Sequence, residues 1–546
     1  MDTAEIEDVV ACMSIEMKVG QLFLLAYPGK DPGKIAPLTD KFGIGGCYIS
    51  QDNAETFEEA AQTSAVLQKM ASQTEHKLPM ILGVDQEGAW GVLVPESVTG
   101  PGNLALGANV DMGIVHDMYC VFGQEMLSVG YNTLLAPCAD VNMDPRSPII
   151  GTRSFGDSPS QVAELVSRAV EGARKTGILT TLKHFPGHGG TSGDTHREIP
   201  CIDKPLTDLL KTDLLPFISG IRSGADIVMT SHILYPKIDS SNPATLSRII
   251  LQDLLRHQLQ FDGVILSDSM NMGAIRHFYD PADSAVMALK AGVDIVMLSE
   301  EHYDHSEHYL DKQMATLQRV CQAVHSGELS EEEIDAKLHR IISLKCRMLK
   351  KGSLSPQLSM ADKMQISHQA SSGAICLLRN DFDMWPVKIS AKDACVCLNS
   401  TPRCAYGVIT NPRGIGPNQT EPAYDALRRT LQAAGCKVNF LEMHEAKSQS
   451  EVMESSKLIL LVTEDYPLPG EDMEKTQQQE FVQQCLIKYR EKCVILGLRS
   501  PYELFEYQGQ LTYLCSYSSR TCSAEAVAKL LVEGKFPKGV NHITLW

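Results

Sequence analysis

Short apolar runs alternate with helix-length amphipathic stretches along the first part of the chain. The runs fall at 21–26, 43–49, 80–84, 131–137, 179–185, 226–232, 263–268 and 294–298, most of them bounded by Gly, Pro or Asp, and read as eight strands. Helical spacing of apolar positions over 160–175, 205–223 and 246–260 separates several of them. Eight strands alternating with helices predict a (β/α)8 barrel of the TIM type, with a charged helix, EEEIDAKLHRIISLKCRMLKK, closing the unit at 350. A polar stretch beginning KGSLSPQLSM opens an expected linker over 351–388. Strand and helix then alternate again over 389–546. Strands are expected at 394–399, 437–442, 457–463, 492–498 and 511–516, with helices at 422–434, 473–489 and 524–533. That pattern predicts a second domain of α/β sandwich type with a mostly parallel sheet. The stretch PRGIGPNQ is too irregular for a dinucleotide fingerprint or a phosphate loop.

The polar residues are concentrated where such a barrel places its chemistry. Asp85, Asp140, Lys183, His184, Ser231, His232 and Asp268 all sit at or just past the C-terminal end of an expected strand. A single acid there could be a turn former or a helix cap; the whole set is harder to assign that way. The segment LKHFPGHGGTSGDTHREIP adds Lys183, His184, Asp194 and His196 on one Gly-rich stretch after a strand. Asp268 suits a carboxylate nucleophile, with Lys183 and Arg153 available to keep it ionised, although capping of a helix beginning near Met270 is an open alternative. His196 suits a proton donor oriented by Asp194, on a loop rich enough in Gly and Pro to close over a substrate.

Composition narrows the partners. Acidic residues number 67 against 49 basic ones, a net charge of −18 with no basic stripe, which argues against nucleic acid or an anionic membrane surface. The chain contains no run long and apolar enough to span a bilayer, and its acidic start is unlike a secretory signal, so a cytoplasmic location is expected. Its 16 cysteines lack C-x-x-C spacing and read as reduced, mostly buried thiols. His184, His188 and His196 are interrupted by Pro186 and Gly187, so neither a metal site nor a cofactor is expected.

Four ordered motifs carry a family resemblance: GVDQEG at 83–88, IIGTRSFG at 149–156, KHFPGHG followed by D-x-H, and SDSMNMGA. Together they resemble family 3 glycoside hydrolases, in the β-N-acetylglucosaminidase branch, over essentially the whole chain. The resemblance implies an exo-acting, retaining hydrolase that releases terminal β-linked N-acetylglucosamine through a glycosyl-enzyme. It implies Asp268 as nucleophile, His196 with Asp194 as acid/base dyad, and Asp85, Arg153, Lys183 and His184 as holders of the terminal sugar. A small carbohydrate is then the partner, with the chain a monomer or homodimer. One departure stands out: the branch usually has two arginines where this chain has Trp90 and Leu93, and the second ordinarily contacts substrate. Another β-hexoside, phosphorolysis in place of hydrolysis, or a catalytically silent sugar binder are the alternative readings.

Overall fold

Val, Ile and Leu dominate the short runs that become the inner barrel strands, which are buried on both faces because helices cover the outside. The computed structural model describes residues 2–88, 94, 96–193, 199–299, 308–350, 356–390, 394–401, 419, 421–446, 448–465 and 475–544. All eight expected barrel strands are present: β1 (Phe23–Leu25), β2 (Gly46–Ile49), β3 (Ile81–Val84), β4 (Thr133–Leu134), β5 (Leu179–Phe185), β6 (Ile227–Thr230), β7 (Val264–Leu266) and β8 (Val296–Leu298). Each pairs in parallel with the next, from β1 to β7. β8 lies parallel to β1, and a bridge between Leu266 and Ile295 joins β7 to the start of β8, closing the ring. A TIM-type barrel is therefore confirmed.

Local sequence explains the departures in detail. The helix expected over 205–223 is two helices, Leu206–Leu209 and Leu215–Arg222, because Pro216 can occupy a helix start but not an interior. Ile249–Gln258, inside the expected helix 246–260, adopts the wider π form.

The second domain holds a six-stranded sheet. Its strands are β9 (Cys376–Asn380), β10 (Cys395–Asn399), β11 (Val438–Glu442), β12 (Leu458–Thr463), β13 (Cys493–Gly497) and β14 (Thr512–Cys515). In space the order is β9-β14-β13-β12-β10-β11, with every pairing parallel except β9 with β14. The mostly parallel α/β sheet is as expected; the linker is not. Within 351–388, Met360–Ala374 is a helix starting at a Ser359 capping box, and β9 is an edge strand of the sheet. Ordered structure begins there because Ala370 is buried in the barrel's core while Ala374 and Cys376 are buried in the second domain's. Residues 351–355 lie outside the described set.

Candidate active site

β5 is the spine of the site. All seven of its residues are buried, so Lys183 and His184 are carried inward at its C-terminal end rather than into solvent. Lys183 Nζ lies 2.5 Å from Asp85 Oδ1 and 2.7 Å from Glu87 Oε1, both delivered by the segment after β3. Arg153 reaches the same Glu87 with a two-pronged contact, Nε to Oε2 at 3.0 Å and Nη2 to Oε1 at 2.9 Å. Two buried cations thus share one fully buried carboxylate, which makes each arrangement satisfiable only in the presence of the other. Burial would push Glu87 up, but Arg153 and Lys183 outweigh it and hold the carboxyl below its usual range.

Asp85 differs from Glu87 in being partly open. Tyr48 Oη donates to its Oδ2 at 3.0 Å, and its side chain retains 22% exposure, so a sugar hydroxyl can still reach it. Despite burial, Lys183 and then Arg153 keep Asp85 ionised.

A second network fixes His184. Its Nδ1 is 2.7 Å from Asp140 Oδ2, and Asp140 also accepts from the backbone N–H groups of His184 and His188. This leaves His184 Nε2 facing Arg153 Nη2 at 3.3 Å. Asp140 is fully buried, yet His184 and His188 hold it well below the carboxylate range. Cys138 Sγ, Asp140 and His184 bring ligand atoms within 4.8 Å of one another. The Cys138 thiol donates to Asp140 Oδ2 at 3.2 Å, and burial drives its pKa well up, so this trio is a hydrogen-bonded cluster with a protonated thiol.

Asp268 follows β7 on the same rim. Its Oδ1 accepts the Ser269 N–H at 2.7 Å. The next helix begins only at Gly273, with Met272 at its cap position, so the helix-cap alternative for Asp268 falls away. Burial opposes its charge, but His184, His232, the Ser269 amide and Lys183 together lower its pKa. His232 is itself anchored: Nε2 donates to Ser269 O at 2.9 Å, and Nδ1 meets Thr245 Oγ1 at 2.9 Å.

Of the residues singled out from sequence, the structure brings together Asp85, Arg153, Lys183, His184 and Asp268. Asp194, His196, Trp90 and Leu93 lie outside the described residues. Glu87 was not singled out, although it stands in the GVDQEG run; the signal was an acid two positions past Asp85, which returns to the same side of an extended chain. Asp140 and His232 were recognised as strand-end residues without a role.

The comparisons with known proteins agree with this geometry. Residues 14–344 match the glycosyl hydrolase family 3 N-terminal domain. A β-hexosaminidase A of Pseudoalteromonas piscicida is 26% identical across 94% of this chain and 92% of its own length. A β-hexosaminidase of Nitrosomonas eutropha is 30% identical over 55% of this chain and 85% of its own. Among solved structures, a family 3 β-N-acetylglucosaminidase from Paenibacillus superposes with a TM-score of 0.84 at 28% identity, covering 98% of this chain and 99% of that one.

Proposed function

From the premise that the chain belongs to glycosyl hydrolase family 3 and is a glycoside hydrolase, we propose that it releases terminal β-linked N-acetylglucosamine by double displacement. The observation that carries the reading is Asp268: a carboxylate at the mouth of the barrel, held ionised by His184, His232 and Lys183. Relatives named β-hexosaminidase and a structural neighbour named β-N-acetylglucosaminidase support the choice of sugar.

In this reading Asp85 and Lys183 receive hydroxyls of the terminal sugar, and Arg153 holds Glu87 and faces His184 beside it. Asp268 attacks the anomeric carbon as the glycosidic C–O bond breaks, and the leaving oxygen takes its proton from His196, oriented by Asp194. A water then gives a proton to His196 and displaces Asp268, restoring the enzyme with the β configuration retained. The buried ion pairs of Glu87 with Arg153 and Lys183 are formed without substrate, so the sugar meets a preformed electrostatic frame.

Release of nitrophenol from the β-N-acetylglucosaminide and from the β-glucoside, by the wild type and by Asp268→Asn, tests the proposal. The expected result is rapid cleavage of the first substrate by the wild type, little of the second, and loss of roughly 10⁴-fold or more in the variant, in keeping with removal of a covalent nucleophile. Cleavage of the glucoside alone would overturn the sugar assignment, and an unimpaired Asp268→Asn would overturn the nucleophile. The free and mostly buried cysteines support a reducing, cytoplasmic setting, which fractionation of the source cells tests.

A further inference from the structure

Away from the barrel mouth, a cavity of about 420 Å³ opens where the two domains meet. Barrel residues Ser97 and Thr99 form one wall; His368, Gln419 and Arg520 contribute the others. Arg520 is the unusual member. It is only 7% exposed, yet among the described residues its side chain is held by a hydrogen bond from Nη2 to Thr99 Oγ1 at 2.7 Å, and Nη1 is buried without a partner. A buried guanidinium ordinarily sits against a carboxylate, because desolvating it alone is costly. Here the acids on the cavity's rim, Glu421 and Glu525, are both engaged by Arg429 at 2.8 and 2.7 Å.

Two further buried polar atoms on the same walls have no partner among the described residues: Ser97 Oγ, on a residue 8% exposed, and His368 Nε2. Three unpaired polar groups around one cavity are far from the ordinary state of a protein interior, where nearly all such groups are satisfied. Arg520 also stands at the cap position of the thirteen-residue helix Thr521–Glu533, whose positive end therefore faces the same region. Gln419 already accepts the Thr521 N–H at 2.8 Å, so the side chains supply the main donors. Burial lowers the Arg520 pKa to about 10 with no carboxylate acting against that shift, the electrostatic mark of a cation lacking its counter-ion.

We propose that this cavity between the domains is a binding site for a small molecule bearing an oxyanion, either a phosphate ester or a carboxylate, gripped by Arg520 with Ser97 and His368. The volume lies in the range of small-molecule sites, ~300–1,000 Å³, and far exceeds the ~30 Å³ of a water. Lys529 at the rim adds a second cation. The site is separate from the catalytic rim but shares a wall with its loop: a Cβ on Gly88, next to Glu87, would stand 2.8 Å from Thr99 O.

Calorimetric titration of the full chain with inorganic phosphate, a hexose 6-phosphate and citrate, at constant ionic strength, tests this. Saturable binding of at least one of the three, undiminished when N-acetylglucosamine fills the active site, is expected. A tighter hexose phosphate than citrate assigns the oxyanion to a phosphate ester, and the reverse assigns it to a carboxylate. Arg520→Gln should weaken binding about tenfold or more, and Ser97→Ala and His368→Gln several-fold each, with hydrolysis of the chromogenic substrate retained. Absence of saturable binding overturns the proposal, as does binding abolished by N-acetylglucosamine. So does unchanged affinity in a folded Arg520→Gln. If that variant does not fold, unchanged affinity in both Ser97→Ala and His368→Gln is decisive against it.

Discussion

Single side chains carry the electrostatics of the catalytic rim, and Glu87 carries the most. Glu87→Gln would leave Arg153 and Lys183 buried with Asp85 as their remaining carboxylate, and the amide could keep only one acceptor where the carboxylate offers two, its NH2 turned against an N–H donor of Arg153 or Lys183. Breaking a buried pair this way costs about 3–5 kcal/mol, so the variant should unfold at markedly lower denaturant and lose most of its activity. Urea denaturation beside the nitrophenyl assay checks both halves. His232 tunes the nucleophile instead of building the frame. Asp268 has a lowered pKa, so it stays ionised as pH falls until that lowered value is passed, and only then does activity fail. Removing the His232 contribution in His232→Gln raises the Asp268 pKa, so the acid limb of kcat/KM must move to higher pH. A limb that stays in place, or moves down, would show that His232 only positions the Ser269 carbonyl. At this scale the sequence announced Asp85, Lys183, His184 and Asp268 through their strand-end positions. Asp140 was placed by the same position but without a role, and Glu87 escaped altogether, because their partners lie far along the chain, at 184 and 188 for the one and at 153 and 183 for the other, and such pairings are invisible to local spacing.

Elements were legible where burial imposes a period and illegible where it does not. The eight barrel strands could be read because each is an apolar run covered on both faces. β9 could not: as an edge strand paired on one side, most of CLLRN is half-buried, and its polar end blurs into the stretch expected as a linker. The π-helical turn pattern of Ile249–Gln258 was equally hidden, since apolar spacing does not separate it from an α-helix. Packing between elements makes its own prediction at Gly172. There the helix Pro159–Thr176 crosses Gly113–Ser128 so closely that a Cβ on Gly172 would stand 2.1 Å from His116 O. Cys120 Sγ donates to Gly172 O at 3.1 Å across the same contact. The neighbour is backbone, which cannot swing aside, so Gly172→Ala must push the two helices apart. We expect a loss of about 1–3 kcal/mol, read as a lowered midpoint in thermal unfolding, with the catalytic constants of the folded fraction unchanged. A midpoint equal to the wild type's would mean the crossing is looser than its geometry states.

The two domains are one folding unit in energetic terms, and the reason lies in residues that belong to the barrel by sequence but to the other domain by packing. Leu104, Ala105 and Ala108, from the short helix Asn103–Gly107 and its end, are buried in the apolar cluster of the second sheet with Ala374, Cys376, Tyr517 and Ile543. Asn109 Nδ2 donates to Ala370 O at 2.8 Å, Asn142 Nδ2 to Tyr502 Oη at 2.5 Å, and the Thr544 N–H to Asp157 Oδ2 at 2.6 Å. His542 closes against both Gly107 and Gly156, where a Cβ would come within 2.9 and 2.8 Å of its ring. A fragment ending at 350 would therefore expose a contiguous apolar patch beside Leu104 and leave the Asn109 amide with only its longer bond to Ala105 O at 3.3 Å, even though the eight strands of the barrel are all present in it. Exposed patches of that kind drive aggregation, and burial there contributes roughly 25 cal/mol for each Å² of apolar surface removed from water. The expected outcome is that the 1–350 fragment is insoluble or melts well below the full chain, whereas the full chain unfolds in one calorimetric transition. A soluble fragment with a cooperative melt near the full chain's, or two resolved transitions in the full chain, would show that the barrel stands alone and that the shared cluster contributes little.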